Sequence, residues 1–153
     1  MAEEDRVCDL IKLLLYVARE EGAEVTATKL QKIFFLLEKE KGISLDLEFV
    51  PWLFGPYSEK LQDLLDKLIE MGEVGVKEEE VRDALTKEVV GYKRSYVLND
   101  EGYRPSEEHE ESEIAEFFRE WVKKSRDEIL AYVYEKYPEY SRYPLVRDKI
   151  LGR

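Results

Sequence analysis

Three observations along this sequence predict a mainly α (α+β) domain. Apolar residues recur at helical spacing in three successive segments, a stretch rich in Val and Tyr follows, and helical stripes then return. At 153 residues the chain fits a single domain, 1–153, able to bury roughly two-thirds of its unfolded surface. A hydrophobic share of 44% is gathered in periodic segments, which supports a folded core despite 39% charged residues.

The first stripe is Val7, Leu10, Ile11, Leu14 and Ala18, and it predicts a helix over Asp5 to Glu21 that Gly22 stops. Thr26 is placed to cap the second helix, with Val25 packing on Leu30 as a hydrophobic staple. Leu30, Ile33, Phe34 and Leu37, widened by Phe35 and Leu36, make that helix the most enclosed of the domain until Gly42. Ile43, Leu45, Leu47 and Phe49 alternate with Ser44, Asp46 and Glu48, which predicts a short strand between Ile43 and Val50. An aromatic corner follows, Phe49-Val50-Pro51-Trp52-Leu53-Phe54-Gly55-Pro56-Tyr57-Ser58. It closes on a Gly-Pro step, where glycine opens backbone angles denied to other residues and proline fixes its own φ. Trp52 and Pro56 are expected to lock the helices on either side. Ser58 caps a third helix with a core face of Leu61, Leu64, Leu65, Leu68 and Ile69, ending near Met71-Gly72.

From Glu73 to Asn99 the residues Val74, Val76, Val81, Val89, Val90, Tyr92, Tyr96 and Val97 indicate β-structure, with Tyr92 to Leu98 the stronger strand. Residues 78–90 fit either a long hairpin connection or a short helix. After a turn at Asn99-Asp100-Glu101-Gly102, one helical stripe holds Ile114, Phe117, Phe118, Trp121 and Val122. Ser125 and Glu128 form a capping box for another, carrying Ile129, Tyr132, Val133 and Tyr137 before Pro138. The tail from Ser141 is basic through Arg142, Arg147, Lys149 and Arg153 against Asp148. Three helices, a hairpin and further helices is the order of a winged helix. The expectation is a winged-helix-like core of three helices with a β-hairpin wing over 1–104, and a C-terminal helical extension over 105–153.

The net charge of −11 argues against a surface that attracts nucleic acid as a whole. The excess is concentrated: nine acids against Arg104 and Arg119 between Asn99 and Glu120 give a local −7, leaving −4 for everything else. A basic face elsewhere is compatible with that balance. One cysteine, Cys8, forms no internal disulfide, and the acidic start Met1-Ala2-Glu3-Glu4-Asp5 is the opposite of a signal-peptide leader, so the expected location is cytoplasmic. No apolar run approaches the ~20 residues of a membrane span, and no membrane partner is expected. Abundant Glu and Lys with one Asn, two Gln and one Cys resemble proteins from hot environments, a thermophile composition.

Catalytic signals are thin. His109, the only histidine, lies in Glu107-Glu108-His109-Glu110-Glu111, which reads as a solvated acidic helix start rather than a metal cluster. Cys8 lies near an apolar helix face and reads as structural. No phosphate loop, cysteine pair or serine elbow is present. No enzyme activity, catalytic residue, metal or cofactor is expected.

In a winged helix the third helix usually enters the major groove. Here Glu59, Lys60, Gln62, Asp63, Asp66, Lys67 and Glu70 give its polar side a balance of −2, which repels phosphate. The second helix offers Lys29 and Lys32, with Lys39 and Lys41 further along. The hairpin adds Lys87, Lys93 and Arg94, so candidate nucleic-acid contacts are Lys29, Lys32, Lys60, Lys87, Lys93 and Arg94. Tyr132, Tyr134, Tyr137, Tyr140 and Tyr143 crowd the C-terminal segment; core packing is their first expected role, a protein interface the second and base stacking the third.

Two motifs resemble those of the Panacea domain family, which includes SocA-like antitoxins and YwgA-like proteins. Lys29-Leu30-Gln31-Lys32-Ile33-Phe34-Phe35 resembles that family's Lys-Leu-Gln-Lys-Leu-Leu-Tyr helix, and Trp52-Leu53-Phe54-Gly55-Pro56 resembles its Trp-x-x-Gly-Pro corner. Tyr96-Val97-Leu98-Asn99-Asp100-Glu101-Gly102 is similar to the Leu-Thr-x-x-Gly turn after many wings. The likeness covers about the first two-thirds of the chain. Tyr57 stands where a valine more often follows the proline, and the acidic C-terminal helices have no aligned counterpart. The resemblance implies protein binding and neutralisation of a toxin, with Lys29, Gln31, Lys32, Trp52, Gly55, Pro56 and Tyr57 as partner-binding or structural motif residues. The expectation is therefore a non-enzymatic, antitoxin-like regulatory module that binds another protein through apolar anchors beside the acidic C-terminal region, its charges steering a basic partner. The alternative is a winged-helix DNA-binding transcriptional regulator acting as a homodimer.

Overall fold

The structure is a computed structural model and describes residues 2–53 and 55–140. The basic tail from Ser141, with Tyr143, lies outside the described residues, as does Phe54 of the aromatic corner. The element order is α1 (Ala2–Glu21), α2 (Ala27–Lys41), β1 (Val50–Trp52), β2 (Gly55–Tyr57), α3 (Glu59–Glu70), β3 (Val74–Arg82), β4 (Val89–Leu98), α4 (His109–Val122) and α5 (Arg126–Lys136), then a 3-10 turn at Pro138–Tyr140. This is a mainly helical α+β fold with two antiparallel hairpins, β1-β2 and β3-β4.

Helix ends fall where side chains satisfy free backbone groups. Thr26 accepts from Lys29 N at 3.3 Å, and Ser58 accepts from Leu61 N at 3.0 Å. Ser125 and Glu128 exchange bonds of 3.1 and 2.9 Å in a complete capping box. Gly42 ends α2 in the left-handed region at φ 64°. Helix α1 starts three residues before the expected Asp5, at Ala2.

Two local expectations change. Residues 43–49 form no strand, and the extended pairing begins only at Val50, which partners Tyr57 across the short hairpin. The alternating burial has another origin: Asp46 and Glu48 both take φ 55°, turning Leu45 and Leu47 into the core between them. Side chains then replace a ladder, because Leu45 N donates to Glu38 Oε2 at 2.7 Å and Ser58 Oγ donates to the Leu47 carbonyl at 2.6 Å. The ambiguous stretch 78–90 is a hairpin. Strands β3 and β4 pair from Val74↔Leu98 to Arg82↔Val89, with an irregularity after Val81. Asp83 closes the turn by accepting the N–H groups of Leu85 and Thr86, each at 2.8 Å.

One hydrophobic core holds residues from every helix. Helices α4 and α5 contribute Ile114, Phe118, Trp121, Val122, Ile129 and Val133, so residues beyond 104 belong to the same core as α1 and α2. Phe34 and Phe118 meet at 5.6 Å between ring centres, and Phe35 is ringed by Phe49, Tyr137 and Tyr140. Glu40 accepts from Tyr132 and Tyr137 hydroxyls at 2.9 and 2.6 Å, pinning α5 against the end of α2. The long hairpin is fastened at its base. Lys12 of α1 pairs with Glu73 and Asp100 on either side of it, Tyr96 N donates to the Val25 carbonyl at 2.9 Å, and Thr26 bridges to Ser95. The wing therefore stands beside the N-terminus of α2.

The tightest polar joint is between α2 and the start of α3. Gln31 accepts from Ser58 N at 2.8 Å and donates to the Ser58 carbonyl at 3.0 Å, so one buried amide satisfies both backbone groups of a fully buried residue. Replacing Gln31 with Leu keeps the apolar packing and orphans the Ser58 N–H, while the Ser58 carbonyl keeps its bond from Gln62 N at 3.2 Å. The expected loss is about 1–3 kcal/mol, the cost of one buried unsatisfied group, and urea unfolding measures it. A loss under about 1 kcal/mol contradicts this account of the joint.

Candidate functional site

The motif Lys29-Leu30-Gln31-Lys32 lies on the buried turn of α2, so three polar side chains sit where the fold is most enclosed. Lys29 Nζ donates to the Val122 carbonyl at 2.8 Å and so satisfies an otherwise free group at the end of α4. Burial holds its amine below the ordinary lysine range, with the charge of Glu24 opposing. Lys32 is 4% exposed and makes no hydrogen bond or ion pair with any described residue. Burial alone pushes its amine down to about 7. Its stem lies under the short hairpin: a Cβ placed on Gly55 would stand 3.5 Å from Lys32 Cε and 3.2 Å from the Tyr134 ring. With φ at 84°, position 55 admits only glycine without strain. Pro56 beside it is buried.

Trp52 does not lock the corner. It is 53% exposed, with Val50 and Leu53 also exposed, and its ring stands 6.3 Å from that of half-buried Tyr57. The strand pitch explains this, because side chains alternate: Pro51 pairs with Pro56 on the face towards the body, which turns Val50 and Trp52 outward. The corner is held instead by Pro56, Gly55 and the Gln31–Ser58 bonds.

A groove of about 780 Å³ opens between β4, the N-terminus of α2 and the α4–α5 turn. Its walls carry Lys29, Lys93, Arg94, Lys123, Lys124 and Arg126 against Glu24 and Glu128. Three of the residues singled out as nucleic-acid contacts, Lys29, Lys93 and Arg94, thus converge. The other three lie elsewhere: Lys32 is buried under Gly55, Lys60 pairs with Glu48 and Asp46, and Lys87 sits in the turn of the long hairpin. The sequence reading missed Lys123, Lys124 and Arg126. Their signal was the run Lys123-Lys124-Ser125-Arg126 around a helix cap, overshadowed by the acids just before it.

His109 is 89% exposed on its side chain and pairs with Glu113 one turn along α4, at 2.7 Å. Among the described residues no group of three or more His, Cys, Asp or Glu is placed to hold a metal ion. Cys8 is partly buried, and burial raises its thiol above the ordinary range. No described helix is long and apolar enough to cross a membrane. No protein-family model and no curated protein matches this chain.

Lys32 makes stability depend on pH in a defined direction. The unfolded chain keeps this amine protonated up to about 10.5 and the folded one only up to about 7, so between those values the unfolded state binds more protons. Its contribution to stability therefore rises as pH goes from 7 towards 10.5. Lys32→Met removes the buried charge and is expected to stabilise the fold by about 1–4 kcal/mol at pH 6, with the gain shrinking as pH rises. Urea unfolding of both proteins at pH 6, 7.5 and 9 checks it, and parallel profiles would refute it.

Proposed function

We propose that the chain is a non-enzymatic regulatory module that binds another protein, antitoxin-like in the sense implied by its resemblance to the Panacea family. The supporting observation is where the large exposed apolar side chains lie. Among the described residues all but Met71 are on the two hairpins: Val50, Trp52 and Leu53 on the short one, and Val76, Val81, Leu85, Val89, Val90, Tyr92 and Val97 on the long one. Exposed apolar patches of this kind mark contact surfaces, and Trp and Tyr are the side chains that most often dominate binding energy. Beyond Ser95 the long hairpin has no buried residue on either face. A two-stranded ribbon in water is marginal on its own, so a partner that covers it supplies the missing contacts. The anchors lie on the hairpins rather than on the acidic α4, whose tyrosine-rich neighbour α5 is used for packing.

A second reading, a DNA-binding regulator, is favoured by one observation, the basic groove that unites Lys29, Lys93 and Arg94. The polar face of α3 speaks against entry of that helix into a major groove, since Glu59, Asp63, Asp66 and Glu70 outnumber Lys60 and Lys67.

Trp52→Ser separates the readings. Because the indole is exposed, the variant should unfold within about 0.5 kcal/mol of the parent. Its retention of a partner co-purified at one-to-one stoichiometry from the source cells should fall by ~10-fold or more. Full retention of the partner by the variant overturns the role of this hairpin. Steeply salt-sensitive binding of duplex DNA, unchanged by Trp52→Ser, would select the regulator instead.

A further inference from the structure

The geometry points to the groove beside β4 as a strand-addition site for an extended acidic segment of a partner protein. This rests on the protein-binding reading and specifies the partner's chemistry. The direction of the backbone groups comes first. Asn99 N donates to Glu73 on the β3 side, while Tyr96 N donates to Val25 on the opposite side. Backbone groups alternate along a strand, so even-numbered residues of β4 turn away from β3. The chain before α2 uses that outer edge at Ser95 and Tyr96 and then leaves it to enter the helix. The next outward-turned residues are Arg94 and Tyr92, and no described strand runs alongside Tyr92. Both line the groove. An unpaired edge inside a groove is a template for another chain, with main-chain bonds supplying affinity and flanking side chains supplying choice.

Charge makes that choice. Six cations and two acids line the groove in a chain whose net charge is −11. Both acids are already engaged, Glu24 with Lys93 at 2.9 Å and Glu128 with the Ser125 N–H at 2.9 Å, while Arg94, Lys123 and Arg126 pair with Glu78, Glu21 and Asp127 outside the groove lining. Lys124 and Arg126 stand on the wall facing β4, so an added strand would lie between cations on both sides. The chain's own basic tail, with four cations against Asp148, has the wrong sign to fill the groove. A phosphate backbone has the right sign but no ladder of amide donors and acceptors for the edge at Tyr92. An extended peptide with acids at alternate positions matches both features.

Fluorescence polarisation with a labelled, end-capped ten-residue peptide of alternating Glu and Thr tests this on the intact protein. The peptide should bind, and a Lys/Thr peptide should not. A copy N-methylated throughout, which keeps the charge and loses every backbone donor, should bind at least ~10-fold more weakly. Arg94→Glu, at an exposed position, and Lys124→Glu, at a half-buried one beside the Trp121 ring, both checked by circular dichroism, should each weaken binding by a similar factor. Equal affinity for the N-methylated copy would reduce the groove to a general anion site and overturn the proposal, as would duplex DNA binding tightly where the peptide does not. If the peptide fails while Trp52-dependent capture of a partner persists, this inference falls and the protein-binding reading stands.

Discussion

The structure depends on a constraint set by α2, which is enclosed from Lys29 to Leu37 without interruption. A helix surrounded on all sides cannot turn its polar residues to water; Lys29 and Gln31 find partners inside, whereas Lys32 finds none among the described residues and burial lowers its amine instead. Lys29 takes the last carbonyl of α4 and Gln31 takes both backbone groups of Ser58. One turn of one helix thereby fixes the end of α4, the start of α3 and the outgoing strand of the short hairpin. Apolar packing alone, being non-directional, sets no such register. The polar residues at the centre of α2 are what make the arrangement around it specific.

The same constraint places the charges of the surface. Helix α4 begins with His109, Glu110 and Glu111 and is followed by Lys123 and Lys124, the order the helix dipole favours, with Glu113, Glu116 and Glu120 along its length. Lys29 brings the cationic end against the N-terminus of α2, and the Thr26–Ser95 bridge brings β4 to the same place. The basic groove follows from these two joints. The acidic excess stays at the other end of α4, where Glu110 pairs with Arg6 of α1.

Much of this was legible in the sequence, for physical reasons that differ by element. Helices with three or more turns of periodic apolar residues and a capping side chain were read correctly, including Thr26, Ser58 and the Ser125–Glu128 box. The stretch from Ile43 to Phe49 misled because alternating burial does not require a strand; left-handed Asp46 and Glu48 produce the same pattern. Trp52 misled because an indole beside a Gly-Pro step looks like a core residue, and only the hairpin register decides which face it occupies. The groove was hidden for a further reason. Its walls come from three segments far apart in sequence, near residues 26, 93 and 124, and no local pattern announces that they meet.

The two hairpins and the hub belong to one argument about binding. Contact residues on free-standing loops would have to be ordered when a partner arrives, at a cost of about 0.5–1.5 kcal/mol for each immobilised side chain. Here the short hairpin leads directly into Ser58, held by Gln31, and the long hairpin is tied at its base by the Tyr96–Val25 bond and by Lys12. Its strands stay paired out to Arg82 and Val89, with one irregularity after Val81. The apolar tips are thus presented from a frame whose backbone is already set, and the free edge of β4 already has its donors and acceptors aligned for a third strand. A partner then gains apolar area and ladder bonds without displacing anything in the core. On the proposed protein-binding reading, rigid presentation of this kind makes a buried polar motif, which contacts no partner itself, matter for binding.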